Sequence, residues 1–139
     1  MRFVDASVFV HAFLKPRRQL SPGERGIKAR AKGIVSRVNA GENVLTSVVH
    51  VAEVANILED YISGEEARAV EEAILFKDSI VAAPVSRETC FAALQGAREM
   101  RVGLSDAVAY TVMKASGIDE VYSFDRDFDR MGELRRISE

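Results

Sequence analysis

The feature that most constrains the fold of this chain is a regular alternation of short apolar segments with longer amphipathic ones. The short segments have the length and composition of buried strands, and the longer ones carry apolar residues at helical spacing. Alternation of this kind is typical of an α/β fold, here a three-layer α/β/α sandwich with a mostly parallel central sheet of four to five strands. The predicted strands are Arg2–Asp5, Asn43–Thr46, Ser79–Ala83 and Glu120–Ser123, with an edge strand at Leu134–Ile137.

The chain is predicted to form one domain over residues 1–139, because this length suits a single hydrophobic core and no linker or repeat interrupts it. Capping residues mark the starts of several helices. Ser21 and Glu24 have the spacing of a capping box. Ser7 and Ser105 are predicted to be the N-caps of two further helices.

Composition excludes several classes of protein. Hydrophobic residues make up 47% of the chain, which is ordinary for a globular protein and argues against disorder. No apolar run reaches the roughly 18 residues that span a membrane, and the N-terminus lacks the apolar stretch of a signal peptide, so we expect a cytoplasmic protein. Cys90 is the only cysteine, which excludes an intrachain disulfide and a thiolate zinc cluster. We expect Cys90 to be a small packed residue.

Charge is distributed unevenly although the net charge is only −2. The segment 15–37 carries eight Lys and Arg residues and a single acid, Glu24. The segment 53–78 has the opposite balance, with eight acids and only Arg68 and Lys77 as cations. A basic segment in an acidic protein is either a binding surface for phosphate groups or a solvated helix face, and the pattern alone does not separate the two.

Four carboxylates are predicted to meet at one edge of the sheet. Asp5 ends the first strand and Asp125 follows the fourth, so both lie at the carboxyl edge of a parallel sheet, where ligands bind. Asp106 lies in the first turn of a helix, and Glu53 lies about two turns beyond the second strand. Because each helix starts where the preceding strand stops, all four acids can converge. Each acid taken alone is more simply a turn or capping residue.

The sequence around Glu53 indicates a role beyond helix capping. It is embedded in the largely apolar segment Val48–Ala55, where an unpaired carboxylate would be costly, so a metal ion or a basic partner is needed. Carboxylates gathered together repel one another, and a divalent cation removes that cost. Oxygen ligands without His or thiolate clusters favour Mg²⁺ or Mn²⁺. Such an ion would activate a water molecule and stabilise charge on a phosphoryl oxygen.

Four segments resemble, in the same order, the acidic motifs of the PIN domain family. Each motif is weak alone, but together they cover nearly the whole chain. The resemblance implies an endoribonuclease that cleaves single-stranded or loop RNA through attack of metal-activated water on a phosphodiester. The four segments are Phe3–Ser7, where a hydrophobic strand delivers an Asp followed closely by Ser, then Thr46–Val54, Leu104–Tyr110 and Ser123–Asp129.

The resemblance also assigns roles to individual residues. Ser7 and Ser123 would hydrogen-bond the metal ligands or a substrate phosphate. Asp125 would join the principal metal ion or bind a second one, and whether Asp125 or Asp127 is the fourth ligand stays open. The implied catalytic residues and metal ligands are Asp5, Glu53, Asp106 and Asp125, with Asp127 as a further metal ligand.

In size the chain resembles toxins of the VapC type, which form homodimers and are silenced by a cognate antitoxin. The partners implied are therefore RNA, an antitoxin protein and a second copy of the chain. We expect RNA to contact the basic segment, because phosphate neutralisation dominates the affinity of such complexes. Its candidate substrate-binding residues are Arg17, Arg18 and Lys28. Apolar residues such as Phe13 and Leu58 serve either the core or a groove for a partner helix.

Other functions that place an acid after the first strand fit these residues less well. A phosphatase of the haloacid dehalogenase type needs a second Asp two residues after the first, and this chain has Ser7 there. A receiver domain needs a paired acid near the first strand and a late Lys, and neither is evident. The remaining alternative is a catalytically silent PIN-like module that binds RNA or protein, against which the four clustered acids argue. His50 shares a helix face with Glu53, and we expect a structural or peripheral role for it.

Overall fold

The computed structural model describes all residues, Met1–Glu139, and contains a five-stranded sheet covered by helices. The strands are β1 (Arg2–Val4), β2 (Val44–Ser47), β3 (Ile80–Ala83), β4 (Glu120–Tyr122) and β5 (Arg135–Ile137). The helices are α1 (Ala6–Phe13), α2 (Pro22–Asn39), α3 (Val48–Leu58), α4 (Gly64–Phe76), α5 (Arg87–Met100) and α6 (Leu104–Ala115), with a 3₁₀ helix at Arg126–Arg130. None of the helices combines the length and apolarity needed to cross a membrane.

The strand order is β3-β2-β1-β4-β5, and every neighbouring pair is parallel. This confirms the predicted α/β fold. The sequence predicted a mostly parallel sheet, and in the structure all five strands are parallel. β1 lies at the centre of the sheet, with β2 on one side and β4 on the other. The chain runs outward from β1 through β2 to β3 and then crosses back to β4 on the other side of β1, which creates a topological switch point between β1 and β4. The carboxyl ends of these two strands are where a ligand site is expected.

Each face of the sheet is packed against its own hydrophobic cluster. One cluster joins the sheet to α5, α6 and the 3₁₀ helix, and the other joins it to α1, α2, α3 and α4. Adjacent side chains of a strand point to opposite faces, so short strands serve both clusters. The first cluster contains Phe3, Leu45 and Val121, and the second contains Val4, Val44 and Tyr122. The arrangement is the three-layer sandwich predicted from the sequence.

Two helix starts differ from the sequence prediction. The N-cap of α1 is Asp5, whose carboxylate accepts the backbone N–H of Ser7, so Ser7 lies inside the first turn. The N-cap of α6 is Gly103, which has no side chain to offer, and Ser105 also lies inside its helix. The prediction of Ser7 and Ser105 as N-caps is therefore wrong. Both hydroxyls are directed to the carboxylates described below, and the helices begin before them. The capping box at Ser21 is confirmed.

Candidate active site

Asp5 occupies the single residue between β1 and α1 and is 4% exposed. Its Oδ2 atom accepts hydrogen bonds from the hydroxyl groups of Ser7 at 2.6 Å and Ser123 at 2.8 Å. Its Oδ1 atom makes no hydrogen bond and lies 4.0 Å from Nε2 of His50. The two serines therefore hold the carboxylate in one orientation and leave one oxygen available to a further ligand.

Asp125 follows β4, the neighbour of β1, and is the N-cap of the 3₁₀ helix. Its backbone N–H donates to Oγ of Ser123 at 3.0 Å, and its Oδ1 accepts the backbone N–H of Asp127 at 2.9 Å. The sequence predicted a loop here, and the helical turn is what brings Asp127 onto the same side as Asp125. Ser123 thus links the carboxylate of Asp5, which follows β1, to the backbone of Asp125, which follows β4.

Glu53 from α3 and Asp106 from α6 are half-buried beside these residues. Burial, followed by the negative charges of Asp125 and other neighbouring acids, raises the pKa of Asp106 to about 7. Burial and then the charge of Asp5 raise the pKa of Glu53, whereas the Ser105 hydroxyl lowers it. Both carboxylates therefore lie in a field of negative charge that nearby cations do not balance.

The potential metal ligands at this carboxyl edge of the sheet, called the acidic edge below, fall into two groups. The first group is Asp5, His50 and Glu53, and the second is Asp106, Asp125 and Asp127. Within each group the potential ligand atoms lie within 4.8 Å of one another. The carboxylates predicted from the sequence therefore lie at one edge of the sheet, in two neighbouring groups.

Cations of the chain compensate these charges only at the periphery. Nη1 of Arg130 lies 3.6 Å from Oδ1 of Asp127, and no Lys or Arg pairs with the other four acids. Carboxylates crowded together without counter-charge fit one or two divalent cations, which prefer oxygen ligands and remove the repulsion. Metal dependence is therefore compatible with the donor set of this edge.

The sequence predicted a structural or peripheral role for His50, and the structure places it in the first group of potential ligands. It is 1% exposed, its ring packs edge-on against Phe3, and its Nδ1 lies 2.6 Å from Oγ of Ser47. Burial lowers the pKa of His50, although the charge of Asp5 acts in the opposite direction. Its Nε2 atom is buried and has no hydrogen-bond partner. The signal in the sequence was its position three residues before Glu53, but spacing alone does not show where the ring points.

The basic residues singled out from the sequence are engaged elsewhere. Arg17 donates to the backbone oxygen of Asp60 at 2.7 Å, and Arg18 pairs with Glu24 at 2.7 Å. Lys28 donates to the backbone oxygens of His11 at 3.1 Å and Leu14 at 2.5 Å, at the end of α1. None of the three contacts an acid of the two groups. The structure thus gives each of them an intramolecular role and does not join them to the acidic edge.

Arg30 is a basic residue close to the acidic edge that the sequence did not distinguish from its neighbours. Its guanidinium lies over the ring of Phe124, with Cζ 5.9 Å from the ring centroid. The same ring meets His11 edge-on. Phe124 directly precedes Asp125, so this exposed cation contacts the segment that carries Asp125 and Asp127. Helical periodicity showed only that Arg30 was on the polar face of α2.

The family model of the PIN domain matches residues 2–134, and the chain belongs to the PIN domain family. Among solved structures the chain is similar to VapC20 of Mycobacterium tuberculosis, described as a sarcin–ricin loop cleaving toxin, with a TM-score of 0.74. The two chains share 22% sequence identity over 95% of each, so this likeness establishes the fold. No curated protein sequence matches significantly. Membership of the family supports a nuclease activity.

Proposed function

We propose that this protein is a metal-dependent endoribonuclease that hydrolyses phosphodiester bonds in RNA. The observation that carries the proposal is the pair of carboxylate groups at the switch point of a PIN fold, with the acids almost free of basic counter-charge. A structural role explains this arrangement poorly, because clustered carboxylates cost stability unless a cation binds. Burial and then the charges of the neighbouring acids raise the pKa of Asp106 to about 7, and the second cause is part of that cost.

In this proposal the carboxylates hold the ion and the serines hold the carboxylates. A bound Mg²⁺ or Mn²⁺ would supply an activated water and stabilise negative charge on a phosphoryl oxygen. Ser7 and Ser123 keep Asp5 in position through its Oδ2 atom. Their hydroxyl groups are used in these contacts, so we assign them to positioning rather than to phosphate binding. The catalytic ligands proposed are Asp5, Glu53, Asp106 and Asp125, with Asp127 as a further ligand.

RNA is the proposed substrate because the chain offers exposed cations beside and around the acidic edge. Arg30 lies next to the second acid group, and Arg126 is exposed between Asp125 and Asp127. Both can neutralise phosphates that flank the scissile one. Arg17, Arg18 and Lys28 would contribute through the field of the basic segment, since their charged groups already have partners.

We also propose that the protein is the toxin of a type II toxin–antitoxin pair acting in the cytoplasm. Its likeness in fold to VapC20 supports this role. A groove of about 640 Å³ between α1, α2 and α4 is the surface we assign to an antitoxin segment. Phe13, Val35 and Ile62 line it, and Lys32 at its rim would attract an acidic partner. Phe9, Val54 and Leu58, by contrast, belong to the core.

A homodimer is the assembly we propose, with α5 and the start of α6 as its surface. Phe91 is 62% exposed, Leu94 38% and Leu104 46%. Together with Cys90 they line an open depression of about 290 Å³. Exposed apolar side chains grouped in this way mark protein interaction surfaces. A second copy is the partner favoured by the resemblance to VapC-type toxins.

The experiment that tests the proposed function is cleavage of a structured RNA in the presence of Mn²⁺ or Mg²⁺. We expect cleavage by the native protein, its loss with a chelator, and a decrease of at least about 100-fold in Asp5→Asn. Asp78→Asn, which alters an exposed acid away from the site, is the matched control and should retain full activity. A protein that neither cleaves RNA nor binds a divalent ion would be the silent binding module instead.

A further inference from the structure

We propose that His50 is a nitrogen ligand of the divalent ion held by Asp5 and Glu53, and that it makes this position selective for Mn²⁺ over Mg²⁺. The proposal rests on the proposed function, since it concerns the same acidic edge. It departs from the structural or peripheral role that the sequence indicated for His50.

The first observation is a buried polar atom without a partner. Nε2 of His50 has no hydrogen bond, although the residue is only 1% exposed. Buried polar atoms are nearly always paired, and an exception requires an explanation such as an ion that binds there. Oδ1 of Asp5, which makes no hydrogen bond, lies 4.0 Å from this atom. Two unsatisfied ligand atoms therefore face one another across a gap.

The width of this gap suits an ion. Ligand atoms bonded to one ion at about 2.1 Å lie about 3 Å apart at right angles and about 4 Å apart on opposite sides. The separation of 4.0 Å between Nε2 and Oδ1 falls at the upper end of that range. Asp5, His50 and Glu53 all place ligand atoms within 4.8 Å of one another. Small side-chain adjustments would bring all three onto one ion.

The second ring nitrogen is held as in a metal-binding histidine. Such residues donate their other ring N–H to a fixed acceptor, which sets the tautomer and the orientation of the ring. Nδ1 of His50 lies 2.6 Å from Oγ of Ser47, and the edge-on ring of Phe3 fixes its plane. With the proton on Nδ1, Nε2 keeps a free lone pair and lies 4.0 Å from Oδ1 of Asp5. The ring is thus oriented before any ion binds.

The opposite tautomer is the competing arrangement. It would place a proton on Nε2, directed to the carboxylate of Asp5 or to the backbone carbonyl of Ser105. The Ser105 carbonyl faces the ring but does not complete a hydrogen bond with Nε2. The ligand role gives Nε2 a partner within the acid group, whereas this alternative depends on the Ser105 carbonyl or on a carboxylate oxygen 4.0 Å away.

The two groups would then differ in the ions they prefer. Asp106, Asp125 and Asp127 offer only oxygen atoms, which suit Mg²⁺. The group with His50 adds an imidazole nitrogen, which favours first-row transition ions over Mg²⁺. The acidic edge would therefore contain one position for a transition ion and one for a hard ion.

The direct test is pulsed electron paramagnetic resonance of the full chain with substoichiometric Mn²⁺ and excess Mg²⁺. We expect nuclear modulation from a coordinated imidazole nitrogen. The chain has two histidines, so the signal can be assigned with two variants. It should disappear in His50→Gln and remain in His11→Gln. Calorimetry should show Mn²⁺ binding weakened at least about 10-fold in His50→Gln, with Mg²⁺ binding little changed.

The outcomes separate this proposal from the proposed function. Bound Mn²⁺ without nitrogen modulation in the native protein would overturn the ligand role of His50 and leave the metal nuclease intact. This result does not depend on whether His50→Gln folds. A protein that binds neither ion would overturn both proposals. Equal weakening of Mn²⁺ and Mg²⁺ binding in a folded His50→Gln would overturn the selectivity.

Discussion

The two edges of the central sheet handle charge in opposite ways. At the amino edge of β1 and β4, Arg2 donates to Glu120 at 2.6 Å and to Glu42 at 3.1 Å, and the Tyr122 hydroxyl donates to Glu42 at 2.8 Å. At the carboxyl edge of the same strands, Asp5 and its neighbouring acids have no Arg or Lys partner except Arg130, which lies 3.6 Å from Asp127.

The difference shows which charges stabilise the fold and which require a ligand. At the amino edge each half-buried carboxylate has cations of the chain itself, and the interactions are complete in the free protein. At the carboxyl edge, burial and then the charges of the neighbouring acids raise the pKa of Asp106 to about 7. A cation from solution is what this second edge lacks. Neutralising a charge should therefore have opposite effects on stability at the two edges.

The largest effect should come from supplying the missing cation. At a Mn²⁺ concentration 100 times its dissociation constant, binding to the native state alone adds about 2.7 kcal/mol to the free energy of unfolding. Urea unfolding with Mn²⁺ and with chelator measures this directly. Asp78→Asn should gain as much as the native protein, and Asp106→Asn should gain less. An identical unfolding curve with and without the ion would contradict the contrast between the edges.

Removing the ion pairs of Arg2 at the amino edge should have the next largest effect on stability. Arg2→Met removes the cation shared by Glu42 and Glu120, which leaves Glu42 with Arg37 at 3.6 Å and Glu120 with Arg135. We expect the free energy of unfolding to fall by about 1 to 2 kcal/mol in urea titrations, moderated by the solvent exposure of Arg2. Unchanged stability would mean that these pairs behave like ordinary surface ion pairs.

At the acidic edge, neutralising a charge should increase stability instead of decreasing it. The pH dependence of the free energy of unfolding reveals this effect. The pKa of Asp106 is about 7 in the folded chain against an ordinary value of 3.8, so between these values the folded state binds more protons than the unfolded state. By linkage, stability of the metal-free protein falls as pH rises through this window. We expect a loss of about 1 kcal/mol from this half-buried group.

Comparing Asp106→Asn with the native protein isolates that contribution. In the presence of chelator the variant should be more stable than the native protein at neutral pH and should lose less stability between acid and neutral pH. Thermal unfolding across this range measures both. If the stability of the variant kept the full pH dependence, the raised pKa of Asp106 would not be the cause of that dependence.

The smallest effect should come from an ion pair that belongs to neither edge. Arg18 and Glu24 pair at 2.7 Å on the surface, where water screens the interaction. Arg18→Gln should shift the melting temperature by less than about 2 °C. This variant is the baseline for Arg2→Met, and a similar loss in both would remove the distinction between a surface pair and the amino edge.

Much of the fold could be read from local patterns. The alternation of strand and helix, the capping box at Ser21 and the acids that follow β1 and β4 all depend on residues a few positions apart. Hydrophobic periodicity and capping act over this short range, so the sequence alone predicts the three layers and the edge at which the acids lie. Local patterns misjudged Ser7 and Ser105, because a serine near a helix start was read as a cap while tertiary contacts direct its hydroxyl elsewhere.

Only the tertiary structure decided how the acids are held and divided. Ser123 donates to Asp5 from 118 positions away, and Arg2 reaches Glu120 across the same separation. Such contacts depend on β1 and β4 being neighbours, which no local pattern specifies. The direction of the His50 ring was also undetermined, since spacing places it beside Glu53 without setting its torsions. The sequence determined which residues could form a site, and long-range packing determined which atoms face each other within it.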